Sequence, residues 1–328
     1  MDAAFILLRA VHISALAALL GGFVFAIWVA DPSAQRLTHH ESDGHVRPVR
    51  WSTTWLALVF ATGAGWLGFE AVIMSGLPPA EALGGATLSV VLLQTQFGHV
   101  WISRGISCLI LAALLFSSSR ADAERRRTVV LMCTAVAAAL IASLALVGHA
   151  NSEHGSQRLV HLATDAAHLL AAGAWLGALP LLVGLIAWHR RSPERVSLET
   201  VARATQRFSS LGVISVGVLI ASGAVNAWFT VGTFAALLMT QYGHLLLVKL
   251  ALFGGMLALA AVNRARLTPQ LSDPALPQAV RSVAQQTLQR NAALEALLGL
   301  LVLGIVGALG TTMPEAHSPL MTPSMHMH

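Results

Sequence analysis

The sequence has little charge. Only 11% of its 328 residues are Asp, Glu, Lys or Arg, whereas 55% are hydrophobic. A soluble protein is nearer to about 25% charged, so this shortage excludes an ordinary soluble domain. Cysteine is also scarce: Cys108 and Cys133 lie in different apolar runs, which supports neither a disulfide framework nor a CxxC metal motif. The chain contains no Walker motif and no phosphorylation-site aspartate motif, so we expect it not to use ATP.

Long apolar runs are what the sequence has instead. They cover about residues 4–30, 51–75, 98–118, 128–149, 160–189, 207–230, 242–263 and 289–312. Each reaches the roughly 20 residues that an α-helix needs to cross the hydrocarbon layer of a bilayer. The sequence therefore predicts an all-α membrane protein with eight transmembrane helices, in contact with lipid and not with nucleic acid.

The arginines predict how these spans are oriented. Sixteen arginines fall in the connections at 31–50, 119–128, 190–207 and 264–290, whereas the other connections and the two ends together hold only Arg158. Loops that are rich in Lys and Arg stay in the cytoplasm. We therefore expect both termini on the outer side of the membrane.

One ten-residue phrase occurs twice. "TQFGHVWISR" (95–104) and "TQYGHLLLVK" (240–249) share Thr, Gln, an aromatic residue, Gly and His, and both end in a base. Weaker echoes link spans one and two with spans five and six. The sequence therefore predicts two parallel four-helix repeats, residues 1–150 and 151–313, followed by a tail at 314–328. Parallel repeats of this kind, related by an axis along the membrane normal, occur in transporters.

Ionisable residues inside the predicted spans are costly and usually functional. Arg104 and Lys249 each lie five residues beyond the histidine of the repeated phrase. We expect Arg104 to pair with Glu70 and Lys249 to pair with Asp165, either to lock the bundle or to line a path. Glu295, near the inner end of span eight, is expected to be paired or to snorkel towards the surface.

Histidines form two equivalent pairs under the repeat. His12 and His168 lie about eight residues into spans one and five, roughly 12 Å deep at 1.5 Å per residue. His99 and His244 lie near the outer edge of spans three and seven. We predict a metal site with His12 and His168 at its centre and the shallow pair at its entrance. Two alternatives stay open: simple helix–helix contacts, or haem b held by His12 and His168 in a membrane oxidoreductase.

Asp165 supports the metal hypothesis. Together with His161 and His168 it falls at i, i+4 and i+7, on one face of span five. A carboxylate one turn away can orient an imidazole ring and fix its tautomer, as it does beside many metal ligands. We therefore expect Asp165 to support the metal ligands rather than to be one of them.

The tail indicates which metal. It ends in Met325, His326, Met327 and His328, within a short segment rich in both residue types. Thioether sulfur favours Cu(I), and imidazole binds Cu(I) or Cu(II). We predict that this segment captures copper on the outer side together with His149 and His154; the alternative is an idle end.

Several motifs together resemble a known family. "GHA" (148–150), "HLATDAAHLLAAGAWLGALPLL" (161–182), "RFSSLGVISVGVLIASGAVNAW" (207–228) and "YGHLLLVKLALFGGMLALAAVNRARL" (242–267) resemble the copper-resistance D family of bacterial inner-membrane proteins. The motif positions of that family fall on His149, Asp165, His168, Trp175, Gly243 and Lys249. The sequence differs where His244 follows Gly243, a position at which the family often has arginine.

The resemblance implies copper handling at the bacterial inner membrane. The family is associated with copper resistance and with moving periplasmic copper across this membrane, often beside a small periplasmic copper-binding β-barrel protein. We therefore expect a copper transporter and not an enzyme, with copper ion as its cargo and both termini in the periplasm. Transport would be facilitated or driven by a gradient.

Overall fold

The structure is a computed structural model that describes residues 3–30, 48–118, 123–147 and 155–312. Two predicted outer ligands and the predicted copper-capturing tail lie outside the described residues: His149, His154, Met325, His326, Met327 and His328.

Helices account for the secondary structure of the described residues. In chain order they are α1 (Ala3–Val24), α2 (Pro48–Ser75), α3 (Pro79–Ala82), α4 (Gly85–Gln94), α5 (Gln96–Ser118), α6 (Ala123–Ala142), α7 (Gly155–Arg191), α8 (Leu198–Val231), α9 (Phe234–Met239), α10 (Gln241–Val262), α11 (Thr268–Ser272) and α12 (Gln278–Leu309). The helical form changes after three of them, to π-helix at Phe25–Val29 and Asn263–Leu267 and to 3-10 helix at Ser143–Val147. Eight of these helices are long and apolar enough to cross a membrane, as predicted: α1, α2, α5, α6, α7, α8, α10 and α12.

Helix α1 lies at the centre of the bundle. It packs against α2, α6, α7 and α12, and 61% of its most apolar stretch is buried within the protein, against 6% for α10. Two hydrophobic clusters adjoin it, one centred on Leu16, Leu111 and Leu140, the other on Trp175 and Leu182. The first cluster belongs mostly to the first half of the chain and the second mostly to the second half.

Small residues join the two halves. A Cβ at Gly177 on α7 would overlap the carbonyl oxygen of Ala17 on α1, and a Cβ at Gly21 would overlap the backbone of Gly177. Close backbone approach over small residues is a usual way for membrane helices to pack. Because Gly173 also contacts Ala17, the contacts advance together along both helices, so α1 and α7 run parallel. This agrees with two parallel repeats, although the repeat as a whole stays a prediction.

The repeated phrase forms the same local structure twice. The hydroxyls of Thr95 and Thr240 accept hydrogen bonds from the backbone amides of Gly98 and Gly243, each at 2.9 Å, and so cap the starts of α5 and α10. A Cβ at either glycine would overlap a backbone carbonyl of the short helix that precedes it. Threonine and glycine therefore have a structural task here: they let α4 and α9 fold back tightly onto the following span.

Candidate functional site

His12 is fully engaged by its neighbours. It is 1% exposed, and its Nδ1 lies 2.8 Å from the hydroxyl oxygen of Thr62, which in turn lies 2.6 Å from the carbonyl oxygen of Leu58. A carbonyl can only accept, so the Thr62 hydroxyl donates to Leu58 and accepts from His12 Nδ1–H. On the other side of the ring, an Arg104 nitrogen donates to Nε2 at 2.6 Å. Both ring nitrogens of a neutral imidazole are thereby used.

Arg104 is held where it caps His12. Its other terminal nitrogen donates to the carbonyl of Leu140 at 2.9 Å and to the hydroxyl of Ser143 at 2.6 Å, at the end of α6. Carbonyls in the last turn of a helix lack partners within the helix, so Leu140 is a natural acceptor. The guanidinium also lies 4.9 Å from the ring centre of Trp101 and is only 5% exposed. Arg104 thus fastens His12 to two further helices.

Two tryptophans enclose the His12 ring. Trp66 meets it edge-on with ring centres 5.5 Å apart, and Trp101 lies nearly parallel to it at 6.3 Å. The indole of Trp101 donates to the carbonyl of Gly63 at 2.9 Å, and that of Trp66 donates to Glu70 at 3.1 Å. The first half therefore surrounds its deep histidine with indoles and a guanidinium.

The expected pair of Arg104 with Glu70 is not formed, which corrects the sequence prediction. Arg9 is instead the cation in electrostatic range of Glu70, and its guanidinium lies 4.3 Å from the ring centre of Trp66. The physical reason is that Arg104 already has three acceptors, on His12 and on α6. In the second predicted pair, Lys249 lies in electrostatic range of Asp165.

His168 has a similar frame but a free nitrogen. Its Nδ1 lies 3.0 Å from the hydroxyl of Ser222, which donates to the carbonyl of Val218 at 2.6 Å, so the ring again carries its proton on Nδ1. The ring also lies directly over a glycine, Gly223, as that of His12 lies over Gly63. No described residue bonds to Nε2 of His168. Its lone pair is available to a ligand.

Further polar groups lie on α7 and α8, the two helices that carry His168 and its partner Ser222. Asp165, one turn earlier on α7, accepts a hydrogen bond from the amide nitrogen of Asn226 at 3.3 Å, and the amide oxygen of Asn226 is buried without a partner. Lys249 lies in electrostatic range of both Asp165 and His168. An orphaned buried oxygen, a carboxylate and an open imidazole nitrogen are groups that bind cations.

His161 completes the predicted face of α7. It is 3% exposed and lies stacked on Phe229, with ring centres 4.8 Å apart. It is also in electrostatic range of Asp165. The sequence pattern that placed His161, Asp165 and His168 on one helical face is therefore realised on α7.

The shallow histidines tether the short helices. His99 Nε2 lies 3.0 Å from the carbonyl oxygen of Leu93, and His244 Nε2 lies 2.8 Å from that of Leu238. Because a carbonyl only accepts, both rings donate from Nε2. Both side chains are exposed. Their predicted role as entrance ligands stays a prediction, beside this structural one.

His12 and His168 do not share partners. His12 bonds to residues of α2 and α5, and His168 bonds to α8. The described residues contain no group of three or more His, Cys, Asp or Glu side chains that could hold a metal ion as they stand. A ligand role for His12 would require Arg104 to leave Nε2. This arrangement gives the haem alternative no support, because it does not present the two rings as an axial pair.

The partners of the deep histidines were missed from the sequence, although a signal was present. Thr62 lies in "ATGA" at 61–64, and Ser222 lies in "ASGA" at 221–224. Each motif places a hydroxyl and a glycine under one histidine ring. A search for a second repeated motif would have found both residues.

The fold and these sites define a class: a polytopic membrane protein with a deep histidine in each half, one capped by arginine and the other open. Comparison with known proteins then gives the family. Residues 202–309 match the family described as Copper resistance protein D, and residues 1–159 match the one described as Copper resistance protein D-like, N-terminal domain.

Relatives agree with these matches. The chain is 30% identical over 258 residues to Copper resistance protein D of Pseudomonas syringae pv. tomato, covering 76% of this chain and 81% of that protein. It is 29% identical to Inner membrane protein YebZ of Escherichia coli K12, covering 94% of this chain and 98% of that protein. It is 28% identical to Copper transport protein CutJ of Bacillus subtilis, covering 71% of this chain but 39% of that protein. No solved structure matches.

The chain therefore belongs to the copper resistance protein D family. It is a multi-pass protein of the inner membrane, related to copper resistance.

Proposed function

We propose that this protein moves copper across the bacterial inner membrane and that the ion passes through the second half of the chain, at His168. One observation carries the choice of half. Nε2 of His12 is occupied by a guanidinium, whereas Nε2 of His168 has no partner among the described residues. An imidazole nitrogen with a free lone pair binds either oxidation state of copper.

Charge supports the same choice. Aligning His12 with His168 places Arg9 opposite Asp165, and Trp66 opposite Asn226 when the ATGA and ASGA motifs are aligned. The first half thus places two guanidinium groups near its histidine, with the carboxylate of Glu70 in electrostatic range of Arg9. The second half offers a carboxylate and an amide oxygen. With Lys249 and Glu70 included, the first half holds two cations and one carboxylate and the second half one cation and one carboxylate, so a cationic cargo is repelled less from the second site.

Lys249 is the resident cation of the second site. Its ammonium group balances Asp165 in the absence of copper. An arriving copper ion would compete with that ammonium group for the same carboxylate, so binding of the ion and displacement of the lysine would occur together. If the displaced ammonium group releases its proton to water as Cu(I) arrives, the buried charge stays constant, which lowers the cost of placing an ion inside the membrane.

The outer side would supply the ion. Capture by the tail raises the local copper concentration at the mouth of the protein. His149, His154, Met325, His326, Met327 and His328 are the groups proposed to do so, with both termini in the periplasm. A small periplasmic copper-binding protein is the proposed donor or acceptor of the ion. On this proposal the protein is a transporter and not an enzyme.

The test is copper flux into liposomes that contain the purified protein and an enclosed copper indicator, with Cu(I) and Cu(II) supplied separately. We expect His168→Ala to lower the flux by at least about tenfold, the lower bound for disturbing the surroundings of a metal ligand. His189→Gln is the matched control, because it removes a histidine from the far end of the same helix, where the ring bonds to Val196. Equal flux in His168→Ala and the wild type would reject the route, and no flux in the wild type would reject transport.

A further inference from the structure

Glu295 does not have the surroundings that its sequence position suggested. It was expected to be paired with a cation or to snorkel, but it is 2% exposed and lies well inside α12. One carboxylate oxygen accepts a hydrogen bond from the side-chain amide of Asn263 at 2.6 Å, and Asn291 donates to the oxygen of that same amide at 2.9 Å. Among the described residues, no cationic side chain forms a salt bridge with this carboxylate.

A cavity of about 300 Å³ opens beside this carboxylate. It is lined by α7, α8, α10, α12 and the π-helical segment after α10, and its lining residues include Trp175, Phe208, Ser209, Asn263, Arg264 and Glu295. A water molecule takes about 30 Å³ in the liquid, so the cavity has room for several. It is mostly apolar, and its polar side chains gather at the end near Asn263.

The cavity lies further along α7 than His168. Trp175 lines it and lies seven residues beyond His168 on α7, about 10 Å further along the helix at 1.5 Å per residue. Asn263 begins a π-helical segment, a local distortion that often occurs at functional sites. Under the predicted orientation, the cavity lies on the cytoplasmic side of His168.

Few other charges face Glu295. Of the residues that line the cavity, only Arg264 is also ionisable, and it is exposed and donates to the hydroxyl of Ser209 at 2.8 Å. On α12 itself, Arg290 is exposed. On α1, Arg9 packs against Gly310, beyond the other end of α12. On α8, Arg207 donates to the carbonyl of Ala30. Among the described residues, no cation therefore compensates the charge of the buried carboxylate.

From this geometry we infer that Glu295 is a proton-exchange site, which binds a proton from water in the cavity and releases it there. A buried carboxylate with no counter-cation is favoured in its neutral, protonated form, and intramembrane acids in cavities commonly carry protons in transporters. The step is balanced: the carboxylate gains one proton from the aqueous side that the cavity meets and later returns it. As an extension that rests on the proposed function, a proton that Glu295 takes up on one side of the membrane and releases to the other during copper transfer would couple copper movement to the pH gradient.

The first test needs no copper. Dicyclohexylcarbodiimide reacts with protonated carboxylic acids in apolar surroundings, and peptide mass spectrometry locates the label. We expect Glu295 in the whole protein to be labelled, and labelling to fall as the pH is raised. Glu70 is the internal control, because it is also inside a span but accepts from Trp66 and has Arg9 in electrostatic range. Labelling of Glu295 no greater than that of Glu70 at every pH would overturn the proton site.

The second test measures coupling. Copper flux into liposomes is compared with and without a pH gradient for the wild type, Glu295→Gln and Glu295→Asp. We expect Glu295→Gln to lose the response to the gradient while keeping equilibrium copper binding, and Glu295→Asp to keep a response. A Glu295→Gln protein that responds as the wild type does would overturn the coupling. If Glu295→Gln does not fold, the other two results test the proposal. A Glu295→Asp protein whose flux does not respond to the pH gradient would overturn the coupling, and a wild type that is not labelled at Glu295 would overturn the proton site.

The two tests separate the two proposals. A wild type that moves no copper but labels at Glu295 would reject the proposed transport and retain the proton site. A wild type that moves copper but is not labelled at Glu295 would reject the proton site and retain the proposed transport.

Discussion

The two halves of this protein place a histidine in similar frames and then treat it in opposite ways. In the first half a hydroxyl, a glycine and an arginine close the ring of His12 on every side, under two indoles. In the second half the hydroxyl and glycine are again present, but Nε2 of His168 has no partner in the part of the chain that the structure describes. The same surroundings of a hydroxyl and a glycine can therefore hold a histidine that only joins helices or one that can bind a ligand. The residue that faces Nε2 decides between the two.

The residues at the equivalent position of the two halves have the same charge but differ in shape and in the number of hydrogen-bond donors. Arg104 and Lys249 hold the same place in the repeated phrase, and both are cations. Arginine presents a planar fork of five donors, whereas lysine presents a compact point charge on a flexible stem. Arg104 uses its fork to bond to His12 and α6 together. Lys249 instead stays within electrostatic range of Asp165 and leaves His168 uncapped.

The largest expected effect comes from breaking the contact between the halves. Gly177→Val puts a branched side chain against the backbone of Ala17, which cannot move aside as a side chain can. Overpacking commonly costs about 1–3 kcal/mol, and more where backbone atoms collide. We expect little monodisperse protein in detergent by size-exclusion chromatography.

Gly184→Val is the matched control for that change. It lies on the same helix, and nothing lies within 4 Å of the Cβ that it would add. We expect it to behave as the wild type does. Equal yields and thermal stabilities for the two variants would show that the crossing of α1 and α7 does not hold the halves together.

The next effect separates the two histidines. His12→Ala leaves the buried guanidinium of Arg104 short of an acceptor, at a cost of about 1–3 kcal/mol for each unsatisfied buried group, so we expect a clear fall in Tm. His168→Ala should unfold nearly as the wild type does but lose intramembrane copper binding. Thermal unfolding of both variants measures the difference in Tm, and copper titration of both measures the difference in copper binding. Loss of copper binding in folded His12→Ala would restore the predicted site shared by the two histidines.

Much of this architecture was predictable from the sequence, because length and hydropathy alone identify spans. The eight spans and a helix α7 that carries His161, Asp165 and His168 on one face were predicted, and the structure contains them. Lys249 lies in electrostatic range of Asp165, and their pairing stays a prediction. The partner of Arg104 was not predicted. Position along a span gives depth but not which neighbouring helix a side chain meets, so Glu70 and His12 were equally open choices.

Glu295 shows a second limit of sequence reading. The apolar run predicted span eight to begin near residue 289, which put Glu295 close to a helix end. The helix begins at Gln278, about 16 Å before the predicted start and about 25 Å before Glu295 at 1.5 Å per residue, because a polar amphipathic segment extends it. Since hydropathy registers only the apolar part of a long helix, the predicted end was displaced, and a buried residue was expected to be paired or to snorkel.

A smaller effect is expected when the second site receives an arginine at the position that Arg104 has in the first site. Lys249→Arg introduces a fork that can reach Nε2 of His168, so we expect copper affinity to fall by about tenfold, which corresponds to about 1.4 kcal/mol. Lys249→Gln removes the cation that competes for Asp165 and should raise the affinity. Copper titration with a competing chelator measures both. If both variants bind copper as the wild type does, Lys249 does not face the site.

The smallest effect is expected where the halves are alike. His99→Ala and His244→Ala each remove one hydrogen bond from an exposed ring to the carbonyl of a short outer helix. A net hydrogen bond contributes about 0.5–1.5 kcal/mol, so both variants should lose stability within that range and to a similar extent. Copper affinity at His168 should not change, because neither ring is among its described contacts. A loss of copper uptake in His244→Ala without one in His99→Ala would instead make His244 an entrance ligand and extend the difference between the halves to the outer surface.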